Sequence, residues 1–406
     1  MTSFKKTKHE RVISINSTVV RNINRAAILN VIRENQPISR AKIARLANLN
    51  KSTVSSIVAG LLDEDLVGEE ASRVQTVGRS PIDLRLKTGK HLVGAIYFDS
   101  AKTTIAVVDI DGSLKLSEEI KTEPNQPERF VARCLEGLQS LRKRFHLSTF
   151  MGVGVAVAGI VDSTQAKVVF ASDLGWENLD LGKIIATHCP DAGSITVEND
   201  AKASALAELW FGKHEANPVN FVFLYVNRGI GTGIVIDRRV LNGNSHAAGE
   251  FGHMIIVEGG EACSCGNQGC WGEYASDRAT VRRYLGATKA LGSPSSDIVI
   301  QDIVKSAKNG DAAAKDAILQ TARYLGFGIA NIIKAVDPEA IIIGGQIIQV
   351  WDLIYPSIIE TVHQRGFFGK QRNTAILPTS LSNSPPLLGA AALSIRRIFT
   401  DFRIAL

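Results

Sequence analysis

The sequence is poor in cysteine, in aromatic residues and in long apolar runs, and these scarcities exclude several classes of protein. Five cysteines in 406 residues are too few for a secreted scaffold held together by disulfides. The sequence has no apolar run of about eighteen residues, as a membrane-spanning helix would need, and its first residues form no signal-peptide pattern. With 45% hydrophobic and 21% charged residues, we expect a globular, cytoplasmic protein of two or three domains.

The excess positive charge is confined to the start of the chain. Residues 1–88 carry 15 Lys and Arg against 8 Asp and Glu, a net charge of +7, and the remaining residues are nearly neutral. This asymmetry is typical of a basic module for nucleic acid attached to a neutral body. A basic face that only meets solvent would give the same count, so both interpretations stay open.

The first 88 residues show the pattern of a winged helix-turn-helix. Apolar residues recur at helical spacing over residues 24–34 and 52–62, and a shorter helix is predicted at 40–47. Residues 66–67 and 82–86 alternate like the two strands of a hairpin. The third helix begins with polar side chains suited to the major groove, and the hairpin loop would form a wing. A helical bundle with a structural role is the alternative. The residues expected to contact double-stranded DNA are Arg40, Lys51, Ser52, Thr53, Ser55 and Arg79.

Three of the five cysteines fall within eight residues, in the run Cys263-Ser264-Cys265-Gly266-Asn267-Gln268-Gly269-Cys270. One imidazole and three thiolates would form a closed shell for a structural Zn²⁺, and the two glycines would allow tight turns between ligands. The sequence therefore predicts a zinc knuckle over residues 253–270, with the ligands His253, Cys263, Cys265 and Cys270. Three buried or redox-active cysteines beside an unrelated histidine are the alternative.

Two further motifs join the cysteine run in carrying a resemblance to a known family. They are Gly249-Glu250-Phe251-Gly252-His253 and Val197-Glu198-Asn199-Asp200-Ala201. With them the chain resembles the ROK family, which contains sugar-responsive repressors, sugar kinases and uncharacterised proteins. The resemblance covers nearly the whole chain. It implies an α/β body of two actin-like (ribonuclease H-like) ATPase lobes over residues 89–406, preceded by the winged helix-turn-helix domain of residues 1–88.

The apolar pattern after residue 91 agrees with two similar α/β halves. Strands are predicted at 92–99, 103–109, 151–158, 221–226, 229–236 and 340–343, and helices at 130–145, 312–335 and 387–402.

The resemblance also implies a sugar pocket. The family's sugar-contact positions are matched by Asn199, Asp200, Glu250 and His253, and Asp200 matches the catalytic base of the kinases as well. The family has a glutamate where this chain has Gly272, and Glu273 follows one residue late. Either Glu273 bends back to the site or the effector lacks that contact. Hydrogen bonding around the zinc knuckle is the alternative role for Glu250, since a buried carboxylate needs a partner.

The two phosphate-binding loops of the family kinases are altered here. The first, Asp-x-Gly-Gly-Thr in the kinases, reads Asp99-Ser100-Ala101-Lys102-Thr103, and the second reads Asn227-Arg228-Gly229-Ile230-Gly231. Glycines that let backbone N–H groups approach phosphate are missing from the first loop. In the second, Arg228 replaces the hydroxyl residue expected near the γ-phosphate. We therefore expect no kinase activity.

Together these features predict a transcriptional regulator, expected to be a repressor of carbohydrate genes, with xylose metabolism as one candidate. A sugar or sugar phosphate would close the two lobes and release the operator. Palindromic operators imply a homodimer or a dimer of dimers. One alternative is a bifunctional ATP-dependent sugar kinase with a DNA-binding arm. Another is a regulator controlled by a partner protein, with a vestigial sugar pocket.

Overall fold

Two units make up the chain in the computed structural model. The structure describes residues 17–71, 82–145, 147, 149–289, 298–365, 374–381 and 384–400. One unit runs up to His91 and includes the residues from Arg396 onward, and the other is Leu92–Ile395. Across these described ranges, no helix is both long and apolar enough to cross a membrane.

The first unit contains three helices and a three-stranded antiparallel sheet. The sheet has the order β1-β3-β2. The elements are α1 (Ser17–Asn35), β1 (Ile38–Ser39), α2 (Arg40–Leu46), α3 (Lys51–Asp63), β2 (Val67–Ala71) and β3 (Ile82–Leu86). The three predicted helices and the hairpin are thus confirmed. Helix α1 begins at Ser17, seven residues before the predicted start at residue 24. The prediction missed its first turns because the buried residues, Ile28, Leu29 and Ile32, all lie in the second half of the helix.

Side-chain caps fix the starts of α2 and α3. Ser39 Oγ accepts a hydrogen bond from the Lys42 N–H at 3.3 Å, and Asn50 Oδ1 accepts one from the Thr53 N–H at 2.7 Å. Each cap satisfies a backbone donor that has no partner inside the helix. Between the caps Asn48 adopts φ +51°, which asparagine tolerates better than most residues. The sequence therefore sets where α3 begins.

The second unit is a repeat of one strand order. Its first sheet has the strand order β6 (Leu114–Lys121), β5 (Lys102–Asp109), β4 (Leu92–Phe98), β7 (Gly152–Val157) and β11 (Ser194–Asn199). Its second sheet has the order β14 (Arg239–Val240), β13 (Ile230–Ile236), β12 (Phe221–Val226), β15 (Ala340–Gly344) and β16 (Ala375–Pro378). In each, three antiparallel strands are followed by two parallel ones. This duplicated topology is that of the actin-like ATPases, so the predicted fold class is confirmed. Strands β4 and β15 are buried along their whole length, as expected for strands covered on both faces.

The elements of the first lobe are β4 (Leu92–Phe98), β5 (Lys102–Asp109), β6 (Leu114–Lys121), α4 (Pro127–Arg144), β7 (Gly152–Val157), β8 (Ile160–Asp162), β9 (Lys167–Ala171), β10 (Trp176–Leu179), α5 (Leu181–His188), β11 (Ser194–Asn199) and α6 (Asp200–Phe211). The later elements are β12 (Phe221–Val226), β13 (Ile230–Ile236), β14 (Arg239–Val240), α7 (Gly272–Ala275), α8 (Asp277–Lys289), α9 (Ile300–Lys308), α10 (Ala312–Val336), β15 (Ala340–Gly344), α11 (Trp351–Arg365), β16 (Ala375–Pro378) and α12 (Pro385–Thr400). The antiparallel sheet β10-β9-β8 was not predicted, because strands of three to five residues carry little periodicity.

Candidate effector pocket and metal centre

The residues expected to bind sugar border one cavity of about 380 Å³ in the second unit. They come from the junction of β11 and α6, from the loop after β14 and from α7. The volume lies within the range of about 300–1,000 Å³ that is usual for small-molecule pockets. The bordering residues that the sequence predicted are Asn199, Asp200, Glu250, His253 and Glu273.

Asn199 is largely occupied by the protein itself. Its Oδ1 accepts hydrogen bonds from the N–H groups of Ala201 and Lys202, both at 3.0 Å, and so caps α6. Its Nδ2 donates to the Gly159 carbonyl at 2.9 Å. Because the amide group carries two N–H donors, one remains for a ligand. Asn199 therefore connects the start of α6 to Gly159 and also has an N–H group that a ligand can accept from.

Asp200 is a buried carboxyl group at the N-terminus of α6. Its side chain is 8% exposed, and Oδ1 accepts a hydrogen bond from the Ala201 N–H at 2.9 Å. Burial raises the pKa of Asp200 to about 7, and the neighbouring charges of Asp99 and Glu250 act in the same direction. Both protonation states are therefore populated near neutral pH. Such a group suits a ligand hydroxyl as acceptor or donor.

Glu250 is exposed, whereas its alternative, structural role assumed a buried carboxylate. Its loop is anchored by Lys202, whose Nζ donates to the carbonyls of His246 at 2.7 Å and Asn242 at 3.3 Å. The Thr232 hydroxyl donates to the Gly249 carbonyl, one residue before Glu250. Within the described residues, no hydrogen bond or ion pair occupies the Glu250 carboxylate. The structural role considered above would need such a partner, so the geometry favours ligand binding.

Glu273 borders the cavity, but its carboxylate faces two arginines. Oε1 lies 3.2 Å from Arg278 Nη2, and Oε2 lies 3.7 Å from Arg282 Nη1. Arg278 itself borders the cavity. Sequence reasoning missed it, because nothing local distinguishes Arg278 from the other arginines of α8. Gly272 thus stands where the resemblance implies a glutamate, and the next residue, Glu273, forms an ion pair with Arg278.

Four side chains of types that can ligate a metal converge beside the pocket. A ring nitrogen of His253 and the Sγ atoms of Cys263, Cys265 and Cys270 all lie within 4.8 Å of one another. Cys265 and Cys270 Sγ are 3.6 Å apart, as are Cys263 Sγ and His253 Nδ1. A tetrahedral zinc with Zn–S of about 2.3 Å and Zn–N of about 2.0 Å needs separations of about 3.5–3.8 Å. The cluster could therefore hold a metal, and its donors fit zinc. The tight turns expected in the run are present, since Gly266 and Gly269 have φ of +91° and +79°.

The orientation of His253 allows it to serve both the metal centre and the pocket. Nδ1 faces the thiol of Cys263, and the residue borders the cavity. A neutral imidazole whose Nδ1 lone pair binds a metal carries its proton on Nε2. The ring can then donate a hydrogen bond to a ligand from Nε2.

The phosphate loops are bonded to each other. Asp99 Oδ1 accepts from the Ala101 N–H at 2.9 Å, and Oδ2 accepts from Asn227 Nδ2 at 3.1 Å and from the Tyr97 hydroxyl at 3.3 Å. Arg228 Nε lies 3.9 Å from Asp173 Oδ2. The Ala101 N–H that would meet a phosphate thus binds the loop's own aspartate. A second cavity of about 1210 Å³ adjoins these loops.

In the first unit, one face of α3 presents the polar residues expected to contact DNA. Lys51, Ser52 and Ser55 are exposed and Thr53 is half-buried, whereas Val54, Ile57 and Val58 face the core. Arg40 Nη2 forms an ion pair with Glu69 at 2.8 Å. Arg79 lies outside the described residues, as does the rest of the expected wing loop.

Comparison with known proteins identifies the family. Residues 93–397 match the model of the ROK family. The chain is 33% identical to the xylose repressor of Bacillus spizizenii, over 93% of this chain and 96% of that protein. It is similar to the crystal structure of a ROK family transcriptional regulator described as a homologue of the E. coli MLC protein, with a TM-score of 0.78 and 28% identity over 94% and 97% of the two chains. A ROK family glucokinase from Streptomyces griseus in complex with glucose and AMPPNP gives a TM-score of 0.68 and 29% identity over 74% and 98%. The chain belongs to the ROK family.

Proposed function

We propose that this protein is a sugar-responsive transcriptional repressor of carbohydrate genes. The observation that carries the proposal is the contrast inside one cleft, where the Glu250 carboxylate is unoccupied within the described residues while the kinase loops are bonded to each other. The similarity to a xylose repressor over 93% of the chain supports the same function. Asp200, Glu250, His253 and the remaining N–H of Asn199 would bind the hydroxyl groups of the effector. Glu273 would contribute to the same pocket as an ion pair with Arg278.

The first unit would bind the operator as a winged helix-turn-helix domain within residues 1–88. Its element order, with α3 preceded by a short turn and followed by an antiparallel hairpin, supports this assignment. The exposed N-terminal side chains of α3 would read base edges, and the net charge of +7 would attract the phosphate backbone. A palindromic operator would require a homodimer or a dimer of dimers. The cytoplasmic location expected from the sequence fits this role.

We further propose that the His253 and cysteine cluster holds a structural Zn²⁺. The ligand set is complete without a water molecule, so the metal would stabilise the segment that carries His253 and follows Glu250. Bound zinc would supply folding free energy here and no chemistry. All contacts to the effector would come from protein side chains.

The DNA-binding assignment is tested by selecting genomic fragments that the full-length protein binds and then comparing two lysine variants. Lys51→Ala should weaken operator binding by about 1–3 kcal/mol, since it removes a base or phosphate contact. Lys90→Ala is the matched control, because Lys90 is already paired with Asp65. Affinity should also fall steeply with salt concentration. Equal affinity of the two variants, or binding that ignores salt, would count against the assignment.

A bifunctional sugar kinase remains the second candidate, and the cavity of about 1210 Å³ beside the phosphate loops is the observation in its favour. Phosphoryl transfer depends on positioning of the phosphates and metal, which the self-bonded loops do not offer. Incubation of the protein with ATP, Mg²⁺ and a panel of sugars should give no sugar phosphate above a no-enzyme blank. If the wild type forms a sugar phosphate and Asp200→Asn does not, the protein is a sugar kinase instead.

A further inference from the structure

Phe170 is an exposed aromatic side chain at the edge of the effector pocket. It is 48% exposed and borders the cavity of about 380 Å³. The neighbouring aromatics of the same lobe, Phe98, Phe130 and Trp176, are packed against one another in the core. A large apolar ring left in water beside a polar cavity loses the burial that usually stabilises such a residue. Its position therefore calls for a ligand that covers the ring.

The backbone of Phe170 packs closely against Gly159, which is hydrogen-bonded to Asn199 at the polar side of the pocket. Its carbonyl oxygen would lie 2.5 Å from a Cβ placed on Gly159, whose φ is +147°, so only glycine allows this approach. The Gly159 carbonyl in turn accepts the hydrogen bond from Asn199 Nδ2 at 2.9 Å. Strand β9 is thereby held next to the start of α6. Phe170 stands at a defined place relative to Asp200.

Ile160 extends the apolar surface formed by Phe170. The two residues are directly paired across strands β8 and β9, and cross-strand partners project from the same face of a sheet. Both border the cavity. The pocket thus has an apolar wall from the small sheet β10-β9-β8, and a polar floor that includes Asp200 and Glu250. A ligand with hydroxyl groups at its rim and C–H groups on its face matches this division.

We propose that Phe170 determines sugar specificity by packing its ring against the C–H face of a pyranose. The inference rests on the proposed sugar-binding function. A pyranose with all hydroxyls equatorial presents axial C–H groups on each face, which form an apolar patch. An epimer with an axial hydroxyl on the packed face must place that hydroxyl against the ring without a hydrogen bond, which is unfavourable. The pocket therefore disfavours the epimer whose axial hydroxyl lies on the packed face, relative to all-equatorial sugars such as D-xylose and D-glucose.

Calorimetric titration of the full-length protein with four sugars tests this. D-Xylose and D-glucose are compared with D-galactose and D-allose, whose axial hydroxyls lie on opposite faces of the ring. In Phe170→Ala, the affinity for D-xylose and D-glucose should fall about five- to tenfold, and the preference over the epimer disfavoured by the wild type should shrink. Phe170→Trp should retain both the affinity and the preference of the wild type. Val169→Ala, an exposed neighbour that does not border the cavity, should match the wild type.

The possible outcomes separate this inference from the proposed function. If Phe170→Ala binds all sugars as the wild type does, the role of Phe170 is wrong while the function stands. A uniform loss of affinity that leaves the preference among sugars unchanged would indicate a structural role and also overturn the inference. If the wild type binds none of the four sugars, sugar sensing at this pocket fails, and the inference falls with it.

Discussion

The sugar side and the phosphate side of the same cleft differ in whether their polar groups are already satisfied. On the sugar side, Glu250 has no hydrogen-bond partner in the described residues, and the Nδ1 of His253 faces a thiol, leaving Nε2 for a ligand. On the phosphate side, Asp99 accepts from Ala101, Asn227 and Tyr97. A binding site needs donors and acceptors that await a ligand. Within the described residues, Glu250 and His253 on the sugar side meet this condition, whereas Asp99 on the phosphate side does not.

This difference is the basis of our proposal that the chain binds a sugar without transferring a phosphoryl group to it. Phosphoryl transfer needs backbone N–H groups and a metal held in place. Ala101 and Lys102 stand where the family kinases have glycines, and the Ala101 N–H donates a hydrogen bond to the loop's own Asp99. Sugar recognition needs only a few oriented carboxylates, and here Lys202 and Thr232 hold the loop that presents Glu250. The variants below weaken the sugar side in steps of decreasing size.

Loss of the metal should have the largest effect. Cys265→Ser removes one of four ligands, so bound zinc should fall from about one per chain to near zero, and the free energy of unfolding should drop by more than about 2 kcal/mol. The sugar response should disappear, because the segment next to Glu250 loses its support. Metal analysis and thermal melting with and without sugar measure these effects.

Cys189→Ala is the matched control for that experiment, since Cys189 is a buried thiol outside the cluster. It should keep the metal and the sugar response, although core packing will lower its stability somewhat. Full sugar response from a metal-free Cys265→Ser protein would refute the supporting role of zinc.

Removal of a single pocket charge should weaken sugar binding next most strongly. Asp200→Asn and Glu250→Gln each replace a charged acceptor with a neutral amide. A hydrogen bond to a charged group contributes about 1.5–3 kcal/mol, so the affinity for sugar should fall about ten- to hundredfold. Zinc content and operator affinity without sugar should not change. Glu258→Gln, an exposed carboxylate that does not border the cavity, provides the control. A loss in Glu258→Gln equal to that in Glu250→Gln would point to net charge as the cause.

The titration of Asp200 should make sugar binding depend on pH. Hydroxyl groups that donate to Asp200 form stronger hydrogen bonds with its ionised form, and burial raises the pKa of Asp200 to about 7. Between pH 6 and 8 the ionised fraction, and with it the affinity, should rise about tenfold. Asp200→Asn should show a flatter profile. An identical pH profile in that variant would assign the dependence to another group.

The same carboxyl group affects stability with the opposite sign. Its folded-state pKa of about 7 lies above the ordinary pKa of 3.8 for an aspartate, so the folded protein binds more protons between these two pH values. The free energy of unfolding without sugar should therefore fall as the pH rises from about 4 to 7. The contribution of Asp200 to this pH dependence should be absent in Asp200→Asn. Chemical denaturation of both proteins at several pH values measures the difference.

Restoring the family's glutamate should have the smallest effect. A Cβ on Gly272 would lie 3.3 Å from the Gly252 carbonyl oxygen, a tight but tolerable distance. Gly272→Glu should change the affinity for D-glucose by a few-fold at most, because Glu273 and Arg278 already occupy that side of the pocket. Titration with D-glucose and D-xylose tests this. A gain of more than about a hundredfold would show that the missing glutamate controls recognition.

The sequence predicted local features better than those that depend on distant contacts. The long helix α10 and the convergence of His253 with the three cysteines follow from spacing and residue type, and both are present. The exposure of Glu250 and the ion pair of Glu273 were not predictable. The loop of Glu250 is held by Lys202, which is more than 40 residues away in sequence. The ion pair of Glu273 with Arg278 is close in sequence but depends on the angle at which α7 meets α8. The sheet that carries Phe170 was missed because its strands are too short to show a period.

Fluorescence anisotropy of a labelled operator, titrated with sugar, tests the central claim most directly. The wild type should release the operator as D-xylose or D-glucose is added. Glu250→Gln should bind the operator equally well without sugar and require about ten- to hundredfold more sugar for release. Release of both proteins at the same sugar concentration, or no release of the wild type by any sugar, would contradict the account.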